Sequence, residues 1–196
     1  YLRAAAEQIK DALDPDAHVL FELGNEVWNA IPPYEAQHHY FRSTLPTPLP
    51  DSMRDLDDYA AAQLAYADRV VEAGAIFEDV LGEERVTVVL AQQVGLVYFH
   101  DLAAAHLGER ASEIEVLAIA PYFGHSSSAL LGDAEDTTVL DRLDADLDET
   151  IESINASAAA ATRHGWPLIA YEGGAHLVPP GGWDATAASR SQLKRI

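Results

Sequence analysis

His18-Val-Leu-Phe-Glu-Leu-Gly24 is the stretch from which the fold of this chain can be worked out. It is a short, nearly continuous apolar run that ends at a glycine. A strand in the middle of a parallel sheet is covered on both faces, so its sequence is apolar throughout instead of alternating between apolar and polar residues. The stretch therefore predicts a buried parallel strand, which requires helices packed beside it and further strands of the same kind.

Three further runs meet this requirement. Arg85–Ala91 is rich in β-branched residues, and Glu113–Ala120 and Trp166–Tyr171 are also short and apolar. The segments before and between the strands have apolar residues at helical spacing. The predicted helices are Leu2–Leu13, Asp55–Leu81 with a stop at Gly82, Val97–Leu107 with a stop at Gly108, and Thr138–His164. The order is α-β-α-β-α-β-α-β, and the crossovers are long enough for parallel pairing.

This alternation predicts a single α/β domain over residues 1–196. Two architectures fit it: part of a (β/α)8 barrel, or a complete small doubly wound sheet. A doubly wound nucleotide-binding sheet carries a glycine-rich phosphate loop after its first strand, and no such loop follows Gly24. We therefore expect a partial (β/α)8 barrel, a fragment of a catalytic barrel, of which four strands make one half.

One segment departs from the regular alternation. Residues 30–54 contain five prolines around the cluster His38-His39-Tyr40. Such a passage is too long and too rich in proline for a routine connection, so it predicts a long functional loop with about one helical turn. The prolines are Pro32, Pro33, Pro46, Pro48 and Pro50.

The composition excludes several classes of function. The chain has 32 acidic and 12 basic residues, a formal net charge of −20, and Lys10 and Lys194 as its only lysines. A surface this acidic repels phosphate backbones, so no nucleic-acid partner is expected. No stretch approaches the roughly 18 consecutive apolar residues of a membrane helix, so no membrane partner is expected either.

The residue types also limit the chemistry. The chain has no cysteine, which excludes disulfides, thiolate metal sites and cysteine nucleophiles. Its eight histidines show no His-Glu-x-x-His or comparable spacing, so no metal site and no cofactor are predicted. No leader of charged and then apolar residues is visible at Tyr1.

Polar and aromatic residues follow each predicted strand, at the edge where parallel α/β folds place their chemistry. Glu26 follows the first strand and Glu172 follows the fourth. Two carboxyl groups that face one cleft are what glycoside hydrolysis requires, because one donates a proton to the leaving oxygen and the other attacks the anomeric carbon. The sequence therefore predicts a pair of catalytic glutamates.

The residues around both glutamates carry a resemblance. Gly24-Asn25-Glu26-Val27-Trp28 resembles the acid/base motif of the large clan of retaining (β/α)8 glycoside hydrolases, which has an Asn-Glu pair after the fourth barrel strand. Ala170-Tyr171-Glu172-Gly173-Gly174 resembles the nucleophile position after the seventh strand, with two strands between, as in the clan. Bacterial proteins associated with cellulose or other polysaccharides have similar Asn-Glu-Val-Trp-Asn and Tyr-Glu-Gly-Gly motifs. The resemblance covers residues 1–178 and implies barrel strands four to seven.

The resemblance also implies roles for single residues. Glu26 would be the general acid/base, Glu172 the nucleophile and Asn25 a partner of the sugar 2-hydroxyl. Tyr122 corresponds to a position at which clan members often orient the nucleophile, and a phenol there would keep Glu172 ionised by donating a hydrogen bond. The other substrate-binding candidates follow from aromatic character or from position at a strand end. They are Trp28 as a stacking platform, Gln92 or its neighbour Gln93, one of which must point away, and His176.

The expected function is hydrolysis of β-glycosidic bonds in a poly- or oligosaccharide by double displacement with retention. Carbohydrate would be the substrate, the oligomeric state is left open, and the substrate class favours a secreted or extracellular enzyme. The alternative is a non-catalytic carbohydrate-binding or structural module derived from a glycosidase barrel, because half a barrel has two open edges.

Overall fold

The computed structural model describes residues 1–30, 34–178 and 186–196. It is an α/β structure in which every predicted strand and long helix is present within a few residues of its predicted bounds. The helices are α1 (Leu2–Ala12), α2 (Glu35–Ser43), α3 (Asp58–Leu81), α4 (Val97–Leu107), α5 (His125–Ser128), α6 (Asp136–Arg163) and α7 (Ala187–Leu193). The strands are β1 (Val19–Glu22), β2 (Val86–Ala91), β3 (Val116–Ile119), β4 (Tyr122–Phe123), β5 (Leu168–Ala170) and β6 (Gly174–Ala175).

The main sheet has four strands in the order β1-β2-β3-β5, and every neighbouring pair is parallel. This order follows the order of the chain. A doubly wound sheet reverses its strand order at a switch point, and the described strands show no reversal. The sheet is therefore singly wound, and the carboxyl ends of its strands lie along one edge.

One face of the sheet, called here the outer face, carries the main core. Val86, Val88 and Leu90 of β2 pack there against α3, and the ring of Phe21 on β1 lies 4.2 Å from that of Phe77 on α3. Leu90 is fully buried, and covering a side chain of that size contributes about 1.5–3 kcal/mol. Helices α1, α4 and α6 add smaller side chains to the same cluster. The helices thus cover the outer face and leave the other face of the sheet for other contacts.

The opposite, inner face is lined by residues in the alternate register. Val89 and Ala91 of β2 and Val116 and Ala118 of β3 form a second, smaller buried cluster. Glu22 of β1 pairs with Val89 in the register and therefore belongs to this face. A carboxyl group is thus placed on the inner face, one strand away from the apolar cluster.

Helix α3 shows why its sequence forms a helix with defined ends. The Asp57 carboxylate accepts a hydrogen bond from the Ala60 amide at 2.8 Å, which is an N-cap. Gly82 ends the helix with φ +106°, a backbone conformation that residues other than glycine rarely adopt. Gly74 lies where a Cβ would come within 2.6 Å of Val88, so the missing side chain lets the helix pack closely on β2.

The proline-rich passage differs from its prediction. It contains the nine-residue helix α2 and a short 3-10 helix, Asp51–Met53, where a loop with one helical turn was expected. The reason is that residues 34–45 contain no proline, so the prolines after them end the helix without interrupting it. Pro32 and Pro33 lie outside the described residues.

A second, two-stranded parallel sheet was not predicted. Tyr122 of β4 pairs with Gly174 of β6, and Phe123 pairs with Ala175. Strands of two residues are too short to produce a recognisable hydrophobic pattern. Their pairing matters for the site, because it brings the segments after β3 and β5 together.

None of the helices in the described ranges combines the length and the apolar character that a membrane span requires.

Candidate active site

Glu26 lies in a tight turn directly after β1. The turn is closed by a hydrogen bond from the Asn29 amide to the Glu26 carbonyl at 2.8 Å. Glu26 has φ +48°, and no other non-glycine residue in the described part of the chain has a positive φ. For a residue with a Cβ this left-handed conformation costs roughly 1–2 kcal/mol. Such strain persists only where surrounding contacts enforce it, and it is concentrated at functional sites.

The Glu26 side chain is only 6% exposed, and it receives a hydrogen bond from Asn29. The distance from Asn29 Nδ2 to Glu26 Oε2 is 2.8 Å. Sequence reasoning missed Asn29 and selected Asn25, whose side chain is exposed on the turn. The residue types give no signal for Asn29, because its contact with Glu26 depends on the geometry of the turn.

Glu172 follows the end of β5, and its carboxyl group lies close enough to that of Glu26 to affect the Glu26 pKa, although the two residues are 146 positions apart in the chain. Burial raises the pKa of Glu26, and the hydrogen bond with Glu172 and the charge of Glu172 raise it further. The Asn29 hydrogen bond and the charge of His176 act in the opposite direction without cancelling these effects. The net effect is a pKa of Glu26 above the ordinary value of a glutamate.

Tyr122 contacts the second glutamate. Desolvation, then the charge of Glu172 and a hydrogen bond with it, raise the pKa of the Tyr122 phenol. The ring of His176 meets that of Tyr122 edge to face, with centroids 5.2 Å apart. The backbone of His176 is fixed by its amide, which donates to the Phe123 carbonyl at 2.7 Å. The structure therefore brings Tyr122 and His176 together with the two glutamates.

Trp28 is half-buried beside the same group. Its indole Nε1 lies 3.4 Å from the hydroxyl oxygen of Tyr171, a long hydrogen bond. Tyr171 was not selected from the sequence, yet burial raises its pKa, and the charges of Glu26 and Glu22 raise it further. The strand alternation is the signal for Tyr171, because it lies in the same register as the inner-face residue Ile169.

Gln92, which was predicted to contact substrate, is not part of this group. Its side chain is 1% exposed and lies on the helix side of the sheet, where its Oε1 is 2.7 Å from Nδ1 of His100 on α4. Its neighbour Gln93 is half-buried and falls in the register of Val89 and Ala91. If a glutamine after β2 reaches the inner face, it is therefore Gln93.

Glu22 is a third carboxyl group near the pair. Its Oε1 atom is buried and has no hydrogen-bond partner among the described residues. Burial, and then the charge of Glu172, raise the pKa of Glu22 to about 7. The carboxyl group of Glu22 therefore keeps its proton at pH values where an exposed glutamate is charged.

We expect Glu22→Gln to stabilise the protein near pH 8 and to change stability little near pH 4. The unfolded chain releases the Glu22 proton near its ordinary value of 4.5, whereas the folded protein holds it to about 7. Between these values the folded state binds more protons, so the wild-type protein loses stability as the pH rises. The glutamine side chain of the variant does not titrate, so the variant does not lose stability in this way as the pH rises.

Melting temperatures of both proteins at several pH values between these limits test this prediction. Glu152 on α6 is exposed and provides the matched control, because Glu152→Gln should shift the melting temperature equally at both pH values. A Glu22→Gln difference that does not vary with pH would contradict the assigned proton.

An apolar recess of about 620 Å³ lies on the other side of the Glu26 turn. Leu23, Val27 and Phe41 are among its lining residues, whereas Glu26 and Glu172 are not. A ligand held between the two glutamates would therefore occupy the inner face of the sheet and not this recess. In the described part of the chain no cluster of three or more His, Asp or Glu side chains is arranged to hold a metal ion.

No protein-family model matches this chain, and neither a curated protein nor a solved structure matches it significantly. The assignment of a function therefore depends on the residues and the geometry described above.

Proposed function

We propose that this protein hydrolyses β-glycosidic bonds by double displacement, with Glu26 as the general acid/base and Glu172 as the nucleophile. The observation that carries this proposal is the approach of the two carboxyl groups at the carboxyl ends of β1 and β5. Glu26 is buried and its pKa is raised, as a proton donor requires. The proposal gives Glu172, beside Tyr122, the role of the charged nucleophile.

The proposed reaction has two steps. First the Glu26 carboxyl donates its proton to the glycosidic oxygen while the Glu172 carboxylate attacks the anomeric carbon, so the leaving group departs as an alcohol and a glycosyl ester forms on Glu172. Glu26, now charged, then removes a proton from water, and the resulting hydroxide displaces Glu172 from the anomeric carbon. Two inversions restore the starting configuration.

The closeness of the two glutamates favours retention over inversion. Inverting enzymes separate their carboxyl groups by roughly 6.5–9.5 Å to leave room for a water molecule, whereas retaining enzymes bring them to roughly 5–5.5 Å. The contact with Glu172 and the charge of Glu172 both contribute to the raised pKa of Glu26, which supports a short separation between the two carboxyl groups. A sugar entering the site would separate the pair slightly to reach the anomeric carbon.

Other side chains have proposed roles in holding the sugar. Trp28 offers an aromatic face for stacking, and the exposed side chain of Asn25 is available for the 2-hydroxyl. Tyr122 orients Glu172, and the ring of His176 packs edge to face on the ring of Tyr122. A polysaccharide or oligosaccharide substrate would place this chemistry outside the cell.

The sheet supports the proposal that these strands correspond to strands four to seven of a (β/α)8 barrel. The order is sequential and parallel, the core helices pack on the outer face, and the two glutamates follow the carboxyl ends of strands. Barrels of this type have the same three properties, with the active site at that end.

The rival proposal is a non-catalytic carbohydrate-binding module. The observation in its favour is Leu20, which lies on the inner face of β1 and is 61% exposed. A closed barrel interior is filled with packed side chains, so this exposure shows that the inner face is open at β1.

The first-formed product distinguishes the two proposals. The protein is incubated with a panel of aryl β-glycosides and β-linked oligosaccharides, and ¹H NMR follows the anomeric protons before mutarotation. We expect the β-anomer to form first. If the α-anomer formed first, the reaction would be inverting, and binding of a panel member without any turnover would support the non-catalytic module.

A further inference from the structure

The turn that carries Glu26 is held from its outer side by helix α2. The Gln37 Nε2 atom donates a hydrogen bond to the Asn25 carbonyl at 3.1 Å. This contact is possible because residue 24 is glycine, since a Cβ at Gly24 would come within 2.3 Å of Gln37 Oε1. Gly24 also has φ +82°, which a side chain would disfavour. The glycine at position 24 therefore makes room for Gln37, a side chain from the proline-rich passage.

Two further side chains lie against the part of the turn that follows Glu26. The ring of His38 on α2 is 3% exposed; burial lowers its pKa, and the nearby Val27 carbonyl opposes that effect. The hydroxyl of Tyr59, from the first turn of α3, donates to the Trp28 carbonyl at 2.8 Å. The two rings also pack on each other, with centroids 4.8 Å apart. His38 and Tyr59 thus form one unit behind the turn.

These contacts fix the backbone on both sides of Glu26. The Asn25 carbonyl belongs to the peptide group that precedes Glu26, so its orientation sets the φ angle of Glu26. The Asn29 amide donates to the Glu26 carbonyl, and the Tyr59 hydroxyl donates to the Trp28 carbonyl at the end of the turn. Glu26 has the unfavourable φ of +48°, and without these contacts the backbone would relax towards a negative φ. That relaxation would turn the carboxyl group away from Glu172.

We propose that Gln37, His38 and Tyr59 are positioning residues that hold Glu26 in its left-handed conformation, with its carboxyl group facing Glu172. They act through the backbone of the turn and not by touching the sugar. The catalytic consequence rests on the proposed function, whereas the conformational consequence does not. The proline-rich passage therefore supplies two of these three positioning residues, Gln37 and His38.

Tyr59→Phe is the sharpest test, because it removes one hydroxyl and keeps the ring that packs on His38. A displaced general acid matters only when the leaving group needs a proton. We expect kcat/KM to fall about tenfold on an alkyl β-glycoside, which is a fraction of the roughly 10²–10⁴ that general acid catalysis contributes. On a dinitrophenyl β-glycoside, whose leaving group needs no proton, kcat/KM should stay within about twofold of the wild-type value.

Matched variants separate positioning from general destabilisation. Tyr98 on α4 is 60% exposed, and Tyr98→Phe should behave as wild type on both substrates. His38→Gln keeps an N–H donor and should retain most activity on the alkyl glycoside, whereas His38→Leu should lose it. Equal losses on both substrates in Tyr59→Phe would indicate a structural defect and would overturn the positioning role.

A measurement without substrate keeps the two proposals apart. The ¹³C-carboxyl resonance of Glu26, assigned by its loss in Glu26→Gln, is followed through a pH titration. We expect its pKa in Tyr59→Phe and His38→Leu to move from the raised value back towards that of an ordinary glutamate. If both variants titrate like the wild-type protein, the positioning role is wrong. If they shift but no glycoside is cleaved, the positioning role stands and the proposed function fails.

Discussion

Glu172→Gln should lower kcat/KM on every β-glycoside substrate by roughly four to six powers of ten, the size of loss seen when a nucleophile is removed from an enzyme. The amide has nearly the same shape as the carboxylate but cannot form the glycosyl ester. Tyr122 and Glu26 keep a hydrogen-bonding partner at this position, so the fold and substrate binding should change little. The loss should therefore lie in kcat and not in KM.

The control for this variant is a glutamate remote from the site. Glu152→Gln removes the same charge from the exposed face of α6 and should leave kcat and KM unchanged. Chemical rescue adds a positive test, because Glu172→Gly leaves a space in which azide can attack the anomeric carbon. The expected product is the α-glycosyl azide, inverted by a single displacement. Near-wild-type activity of Glu172→Gln would show that Glu172 is not the nucleophile.

Glu26→Ala should produce a loss that depends on the leaving group. On substrates whose leaving oxygen needs a proton, we expect kcat/KM to fall by roughly 10²–10⁴, whereas dinitrophenyl glycosides should lose far less. In the proposed mechanism Glu26 supplies a proton in the first step, and a leaving group that is already stable as an anion does not require it. Azide should rescue the second step with retention, giving the β-glycosyl azide.

The pH profile provides the matching measurement for Glu26. Burial and the contact with Glu172 raise the pKa of Glu26, so the protonated form persists above the usual range of a glutamate. Activity of the wild-type protein should therefore fall as the pH rises through that raised pKa, because the general acid is lost. In Glu26→Ala this alkaline limb should disappear from kcat/KM. An unchanged alkaline limb in the variant would assign the titration to another group.

The strands and long helices could be predicted because their sequences contain strong local signals. β2 is rich in β-branched residues, and α3 begins at an aspartate N-cap and stops at a glycine. Parallel pairing followed from the length of the crossovers. The proposed positions of both glutamates followed from the same reasoning, because residues after parallel strands meet at one edge.

Side-chain direction was harder to predict than strand position. β2 is apolar on both faces, with Val88 and Leu90 outward and Val89 and Ala91 inward. Such a strand contains no information about which glutamine after it reaches the inner face, so Gln92 was selected and Gln93 is the one in the inner register. A one-residue error of this kind reverses the face.

The local geometry of the Glu26 turn was not predictable from residue types. The hydrogen bond from Asn29 exists because the turn places residues 26 and 29 side by side, and this depends on the positive φ of Glu26. For Glu22 the sequence did contain a signal. A carboxyl group within a buried apolar strand is costly unless it is neutral or paired, which points to an unusual environment.

Helix α2 has a consequence for how this protein can change during evolution. Surface connections usually accumulate insertions and deletions faster than the elements they join. Inserting one residue into α2 before Gln37 would rotate Gln37 and His38 by about 100° about the helix axis and carry them off the turn. We expect selection to remove such insertions. They lie in the proline-rich passage, whose composition resembles that of a linker. Length variation among relatives should therefore be concentrated outside residues 35–43.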